Sequence, residues 1–228
     1  MKFIVIGLGT FGASLAEKLT LAGHEVIGVD SKMIKVDTLK DKVTHTICLD
    51  STDLQAIKNL PLRDTDVVIV AIGEDEGASL LTTALMKLFK VKRLISRAVS
   101  PVHEMILEAM QVEEIVHPEE ETAERWAKKL NISGVVDSFD VTREYHIIEA
   151  RVPSQFAGKT IGDIGVRKNH NVIVLTTIKT VEEKNLIGIS KTVKKVQEIG
   201  NSKTMLDSED IMVLYGRMKD IKDFLKED

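Results

Sequence analysis

The first thirty residues carry the pattern that most restricts the fold of this chain. An apolar run, Lys2-Phe3-Ile4-Val5-Ile6, enters Gly7-Leu8-Gly9-Thr10-Phe11-Gly12, and Ala13-Ser14-Leu15-Ala16 continues at helical spacing. The three glycines serve different physical ends. Gly7 makes the tight turn, Gly9 lets the main chain approach phosphate oxygens, and Gly12 lets the helix close on the sheet. A phosphate at such a bend meets free N–H groups and the positive end of the helix dipole, the latter contributing on the order of 0.3–1 kcal/mol for an exposed charge. GxGxxG alone is a weak pattern; here a strand leads in, a helix leads out, and an acid stands at the expected distance. That acid is Asp30, followed by Ser31, at the end of Glu25-Val26-Ile27-Gly28-Val29. About 20 residues past the glycines, a carboxylate accepts ribose hydroxyls and repels a 2′-phosphate, which disfavours NADP. The competing reading is a tight turn beside a solvated acid that binds nothing.

At 228 residues the chain accommodates one large or two small domains. A formal charge of -4 and a pI near 5.9 argue against a nucleic-acid surface, which needs clustered Lys and Arg on one face. The densest basic spots, Lys194-Lys195 and Lys90-Val91-Lys92-Arg93, read as solvated faces. Cys48 is the single cysteine, so no internal disulfide forms, and its place in Thr46-Ile47-Cys48-Leu49 predicts a buried small residue in a reducing compartment. The N-terminus enters a strand directly, leaving no room for a signal peptide, and no apolar run approaches the roughly 20 residues of a membrane helix. The expectation is a cytoplasmic protein without direct membrane insertion.

Strands are predicted at Thr44 to Leu49, Asp66 to Ala71, Lys92 to Ser96 and Glu114 to Val116, separated by helical patterns. Asp75 to Phe89 places Leu80, Leu81, Ala84, Leu85 and Leu88 on one helical face, and Pro101 to Met110 repeats this with Met105, Ile106 and Ala109. Apolar strands alternating with amphipathic helices predict an α/β fold, a Rossmann-like doubly wound parallel sheet covered on both sides. Pro118 ends the sixth strand and starts a helix from Glu119 to Leu130, after which Asn131-Ile132-Ser133-Gly134 reads as a stop and linker. Beyond it the pattern turns strand-rich: Val136 to Val141, Tyr145 to Val152, Val172 to Ile178 and Asp210 to Tyr215. Residues 1–134 are expected to form a nucleotide-binding domain and residues 135–228 a second, smaller α+β domain. Thr180 to Leu206, rich in Lys and Glu, reads as a long exposed insertion.

This order of elements resembles the regulatory subunits of potassium transporters and channels, the KtrA/TrkA family of RCK or KTN domains. The resemblance covers the whole chain. It rests on Val5 to Gly12, His24-Glu25-Val26 leading to Val29-Asp30, Asp50-Ser51-Thr52, Val68 to Gly73 and Ile115-Val116-His117-Pro118-Glu119. In the second domain it rests on Phe156-Ala157-Gly158-Lys159-Thr160-Ile161-Gly162-Asp163-Ile164 with Val166-Arg167. The resemblance implies that the glycine turn and Asp30 hold phosphate and ribose, that Asp50 and Ser51 border the adenine, and that Ile72-Gly73 line the cleft. It also implies that Arg97 approaches the phosphates, and its place directly after a parallel strand puts it at the edge where such sheets bind ligands. A surface ion pair is the competing reading of Arg97. Glu119 matches an acid that in some relatives helps bind a cation near the phosphates; as a residue of the helix start it equally complements the dipole.

Several ATP-responsive relatives carry arginine where this chain has Thr10, so a positive group favouring a terminal phosphate is missing. NAD or NADH therefore stands beside ATP and ADP as a candidate cofactor, because a pyrophosphate needs little more than the turn and helix end. Some relatives bind cyclic di-AMP at the dimer interface of the second domain, onto whose matching segment Arg167 and Asn169 fall. The resemblance implies a homodimer or octameric ring docked on a membrane-embedded potassium transporter subunit, peripheral to the inner face of the membrane.

Catalytic machinery is not legible. Tyr215-Gly216-Arg217-Met218-Lys219 has the tyrosine-to-lysine spacing of short-chain dehydrogenases but straddles a strand end and a glycine, so the side chains diverge. Gly158-Lys159-Thr160 mimics the tail of a phosphate loop, yet Pro153 occupies the position of the leading glycine. The histidines at 24, 45, 103, 117, 146 and 170 show no metal-ligand spacing and no evident Cys or carboxylate companion. The expectation is a non-enzymatic gating subunit. An NAD-dependent oxidoreductase is the alternative, and a nucleotide sensor with a non-transport partner a third.

Overall fold

The structure is a computed structural model that describes residues 1–132, 134–184 and 190–226. Ser133 of the expected linker, and residues 185–189 of the expected insertion, lie outside the described residues. The chain divides into two compact units, Met1–Glu119 and Glu120–Asp228. That division falls at the start of the helix Pro118–Asn131, whereas the sequence reading places it after that helix.

In the first unit, strands and helices alternate as β1 (Lys2–Ile6), α1 (Thr10–Leu21), β2 (Glu25–Asp30), α2 (Met33–Leu39), β3 (His45–Cys48), α3 (Leu54–Ile57), β4 (Val67–Val70), α4 (Glu76–Leu88), β5 (Leu94–Arg97), α5 (Pro101–Ala109) and β6 (Glu114–Val116), with α6 (Pro118–Asn131) following. The six strands pair in parallel throughout, in the order β3-β2-β1-β4-β5-β6. Side chains of successive strand residues point to opposite faces, and both faces here are apolar. Ile4 and Ile6 therefore join Val68, Met86 and Leu107 in one core layer, while Val5 joins Val26, Val67, Ile69 and Ala16 in the other. Helix starts are capped as their residues dictate: Asp75 accepts from Ala78 N ahead of α4, and Ser100 from His103 N ahead of α5, where Pro101 opens the helix.

Cys48 departs from its expected burial. It is exposed, because β3 forms one edge of the sheet, and its Sγ lies 3.5 Å from the Ser31 carbonyl oxygen.

The second unit contains β7 (Val135–Asp140), β8 (Tyr145–Arg151), α7 (Ile161–Ile164), α8 (Val166–His170), β9 (Ile173–Lys184), β10 (Ser190–Ile199), β11 (Ile211–Arg217) and α9 (Met218–Leu225). Its five strands are antiparallel, in the order β10-β9-β11-β8-β7. Ile148, Ala150, Met212 and Leu214 of β8 and β11, with Val135 of β7 and Val174 of β9, pack in the core with Ile221 and Phe224 of α9. The Phe224 ring stacks on Phe156 at 4.9 Å. The Lys- and Glu-rich stretch is, in its described part, the β9–β10 pairing rather than an irregular insertion, with Val181 opposite Val193 and Ile178 opposite Val196. An edge strand such as β10, exposed from Glu198 back to Lys194, buries so little that hydrophobic alternation is diluted. Among the described residues no helix is long and apolar enough to cross a membrane.

Candidate functional site

A cleft of about 530 Å³ opens at the carboxyl ends of β1, β2, β4 and β5. β1 and β4 are neighbours, although β2 and β3 intervene in sequence, so the strand order reverses here. Such a switch point is where an open parallel sheet leaves a crevice. Of the predicted residues, Gly7, Gly9, Thr10, Phe11, Asp30, Ser31, Asp50, Ser51, Ile72, Gly73, Arg97 and Glu119 line the cleft. Gly12 does not.

The glycines divide by what surrounds them. At Gly7, φ is +95° and a Cβ would stand 2.8 Å from Ile72 N, so neither backbone nor space admits a side chain. At Gly12 a Cβ would stand 1.9 Å from the Gly7 carbonyl oxygen; α1 rests directly on the turn there. Gly9 has an ordinary φ of -72°, and a Cβ on it would meet nothing within 4 Å among the described residues. The polypeptide itself thus sets no requirement for glycine at the point that faces the cleft. Gly9 is also the N-cap of α1, which has no side-chain cap and no acid in its first turn. The amides at this helix end are left to whatever enters.

Asp30 is buried. Its Oδ2 accepts from Leu8 N at 2.8 Å and its Oδ1 from Lys32 N at 2.9 Å, so the acid that ends β2 also clamps the glycine turn. Each oxygen retains a second acceptor direction. Asp50 is held below the usual carboxylate range by the hydroxyl and amide of Thr52. Ser51 is buried and shares a 2.8 Å hydrogen bond with Thr82 of α4.

Arg97 lies at the end of β5 with 14% of its side chain exposed, and its Nη2 is 2.5 Å from Glu119 Oε1. The guanidinium covers Gly73, whose hypothetical Cβ would be 2.5 Å from Nη1, and it sits 5.8 Å from the Phe11 ring centre. Its buried Nε has no partner among the described residues. Both readings of Arg97 therefore meet at one place: it forms an ion pair, and it lines the cleft.

Sequence reading missed charged groups that line the cleft, among them Lys32, Lys35 and Glu74. Lys32 and Lys35 donate to Glu74 Oε2 and Oε1 at 2.8 and 2.9 Å, and Lys35 Nζ is 3.8 Å from Asp30. Hydrogen bonds from the two ammonium groups, and their charge, hold Glu74 down to about 2. Spacing of Lys32 and Lys35 by one helical turn was the only available signal; nothing local ties them to Glu74.

The remaining candidates scatter. Arg167 is exposed, whereas Asn169 donates its amide to the Ile164 carbonyl oxygen at 2.8 Å and closes the α7–α8 turn. Tyr215 ends in a stack on Tyr145 at 5.6 Å on β11, while Lys219 belongs to α9. Two histidines do have carboxylate companions, contrary to expectation: His117 with Glu104 at 3.3 Å and His146 with Asp140 at 2.6 Å. Both carboxylates come from other elements. Among the described residues no three His, Cys, Asp or Glu side chains converge as a metal site.

Residues 3–118 match the family model of the TrkA-N domain. Ktr system potassium uptake protein C of Bacillus subtilis (strain 168) is 34% identical over 225 residues, covering 99% of this chain and 96% of that protein. Ktr system potassium uptake protein A of the same organism is 31% identical over 226 residues, with the same coverage of 99% and 96%. Among solved structures, the GsuK RCK domain superposes with a TM-score of 0.65 at 17% identity, over 99% of this chain and 47% of that one. The GsuK channel bound to NAD gives 0.64 at 17% identity, over 99% and 39%. At that identity the likeness shows the fold alone, and this chain spans less than half of either GsuK chain.

Proposed function

The chain belongs to the KtrA/TrkA family of TrkA-N domain proteins, and from that premise we propose that it is a cytoplasmic regulatory subunit of a potassium transport system. An adenine nucleotide in the first unit acts as a switch, not a substrate. One observation carries the reading: at the switch point of the sheet, the α1 helix end lacks a side-chain cap, Gly9 faces empty space, and Arg97 presents a buried N–H without a partner among the described residues. Main-chain amides and Arg97 take the phosphates, the free acceptor directions of Asp30 take the ribose hydroxyls, and Asp50 and Ser51 border the base. Thr10 lines the cleft where several ATP-responsive relatives carry arginine, so the cation that would favour a terminal phosphate is missing at that position, which keeps NAD and NADH beside ATP and ADP.

A nucleotide regulates only by binding one shape of the assembly better than another. A preference of about 100-fold supplies about 2.7 kcal/mol per site, and several sites add. Self-association is supported by apolar side chains left in water: Leu81 and Leu88 on α4, Val102 and Met105 on α5, and Trp126 (52% exposed) and Leu130 on α6. Met86 of the same helix is by contrast fully buried in the core. A membrane-embedded potassium transporter subunit is the partner that the relatives' system implies.

Calorimetric titration of ATP, ADP, AMP, NAD and NADH into wild type and Asp30→Ala tests the reading. At least one compound binds the wild type, and the substitution weakens it by about tenfold or more, the loss of one or two hydrogen bonds to a charged group. Heat from none of them, or sustained oxidation of NADH with a carbonyl substrate, overturns the proposal. Cyclic di-AMP in the same series tests a ligand on the second unit, where Arg167 remains exposed.

A further inference from the structure

A second concavity, of about 550 Å³, lies within the second unit, walled by α6, the β7–β8 hairpin and α9. The nucleotide reading makes no use of it. Part of its wall is apolar, from Ile132 and Met218. Against that surface stands His146 of β8, only 5% exposed, with Nδ1 2.6 Å from Asp140 Oδ1 on β7. The other Asp140 oxygen pairs with Lys128 of α6. Burial pushes the Asp140 carboxyl up, but hydrogen bonds from Lys128 and His146 outweigh it and hold the group below its usual range. A carboxylate on Nδ1 fixes the ring's orientation and leaves Nε2 as its remaining polar atom.

Two further cations complete the wall: Arg143, in the turn between β7 and β8, and Lys222 on α9. Neither has an ion-pair partner among the described residues, although acids are plentiful in this chain. Lys128, Arg143 and Lys222 set against Asp140 leave two positive charges in excess around one hollow, before any proton on His146. Like charges gathered without a counter-ion beside an apolar wall describe the receptor half of an anion site.

We propose that this cavity binds a phosphomonoester, with the phosphate held by Arg143, Lys222 and His146 and its organic body laid over Ile132 and Met218. Charge count and donor geometry favour phosphate over carboxylate: a dianion matches two excess cations, and the guanidinium fork takes two of its oxygens at once. The volume falls within the range of small-molecule sites and exceeds what the phosphate alone would fill. Arg167 and Asn169, the residues matched to relatives' second-domain ligand, do not line it.

The test is calorimetric titration of phenyl phosphate into the full chain, with benzoate and phenol as parallel arms. Saturable binding of phenyl phosphate is expected, weakening as salt is raised. In Arg143→Gln/Lys222→Gln its affinity falls about tenfold or more, a 1.4 kcal/mol change or greater. The double variant keeps the wild-type melting temperature and the wild-type response to the nucleotide series, since both side chains lie outside the first unit. No saturable heat, benzoate binding as tightly as phenyl phosphate, or undiminished affinity in the double variant each overturns the proposal.

Discussion

The two units build their hollows by opposite means. In the first, the cleft is built around main chain, a glycine turn, a helix end and strand ends, and the charged side chains at its mouth are already engaged to one another, as Glu74 is by Lys32 and Lys35. In the second, the cavity is made of side chains, and Arg143 and Lys222 lack partners among the described residues. A main-chain receptor is intolerant of an added methyl group but indifferent to most surface exchanges; a side-chain receptor is the reverse. Parallel strands end together and present backbone at one edge, whereas an antiparallel hairpin presents its faces.

The sharpest break of this contrast is Gly12→Ala. The new methyl would stand 1.9 Å from the Gly7 carbonyl oxygen, so α1 must lift off the turn. A loss of about 3 kcal/mol is expected, roughly 6–12 °C in melting temperature. A wild-type melt would show that the turn yields.

Gly9→Ala separates folding from binding. With φ at -72° and nothing within 4 Å among the described residues, alanine costs under about 1 kcal/mol, the difference between the two as N-caps. Nucleotide affinity is expected to fall about tenfold, because the methyl occupies the approach of a phosphate. Unchanged affinity in titration would end the main-chain account of the cleft.

Acid tests a side chain that the first unit buries without compensation. His103 is fully buried and neither ring nitrogen has a partner among the described residues, so burial pushes its imidazole down from the usual value, partly opposed by Glu76. The unfolded chain then takes up a proton that the folded chain refuses, and stability falls as pH drops below the ordinary histidine range. The slope from this one group is at most about 1.4 kcal/mol per pH unit. Urea midpoints for His103→Leu, set against wild type at neutral and mildly acid pH, are expected to show that slope removed.

The smallest effect is expected at Glu74, an exposed carboxyl held at about 2 by the exposed Lys32 and the half-buried Lys35. Its contribution is complete above the ordinary carboxylate range and is lost as pH falls through about 2. Thermal melts of Glu74→Gln should therefore differ slightly from wild type near neutrality and converge with it in acid. A difference that persists undiminished well below pH 2 would assign the effect to something other than the charge.

Legibility followed the range of the interactions. The β1–turn–α1–β2 unit was readable because its glycines, its apolar period and Asp30 act within one local stretch. Arg97 could be placed at the cleft edge from its position after a parallel strand, yet its pairing with Glu119 depends on where β6 ends in space. Cys48 was misjudged because an apolar tetrapeptide does not say whether its strand is central or an edge. The β9–β10 pairing was missed because a charged edge strand buries too little to leave a period. The lysines that grip Glu74 lie 42 and 39 residues from it, beyond any pattern.

Backbone preference and hydrophobic period are properties of neighbours along the chain, and they sufficed to set an α/β first unit with a glycine-lined helix start and a strand-rich second unit. Which charged groups meet across elements was settled by packing alone. Asp140, Lys128 and His146 converge because α6 and two antiparallel strands come together there, and Coulomb attraction falls off with distance in space, not along the chain.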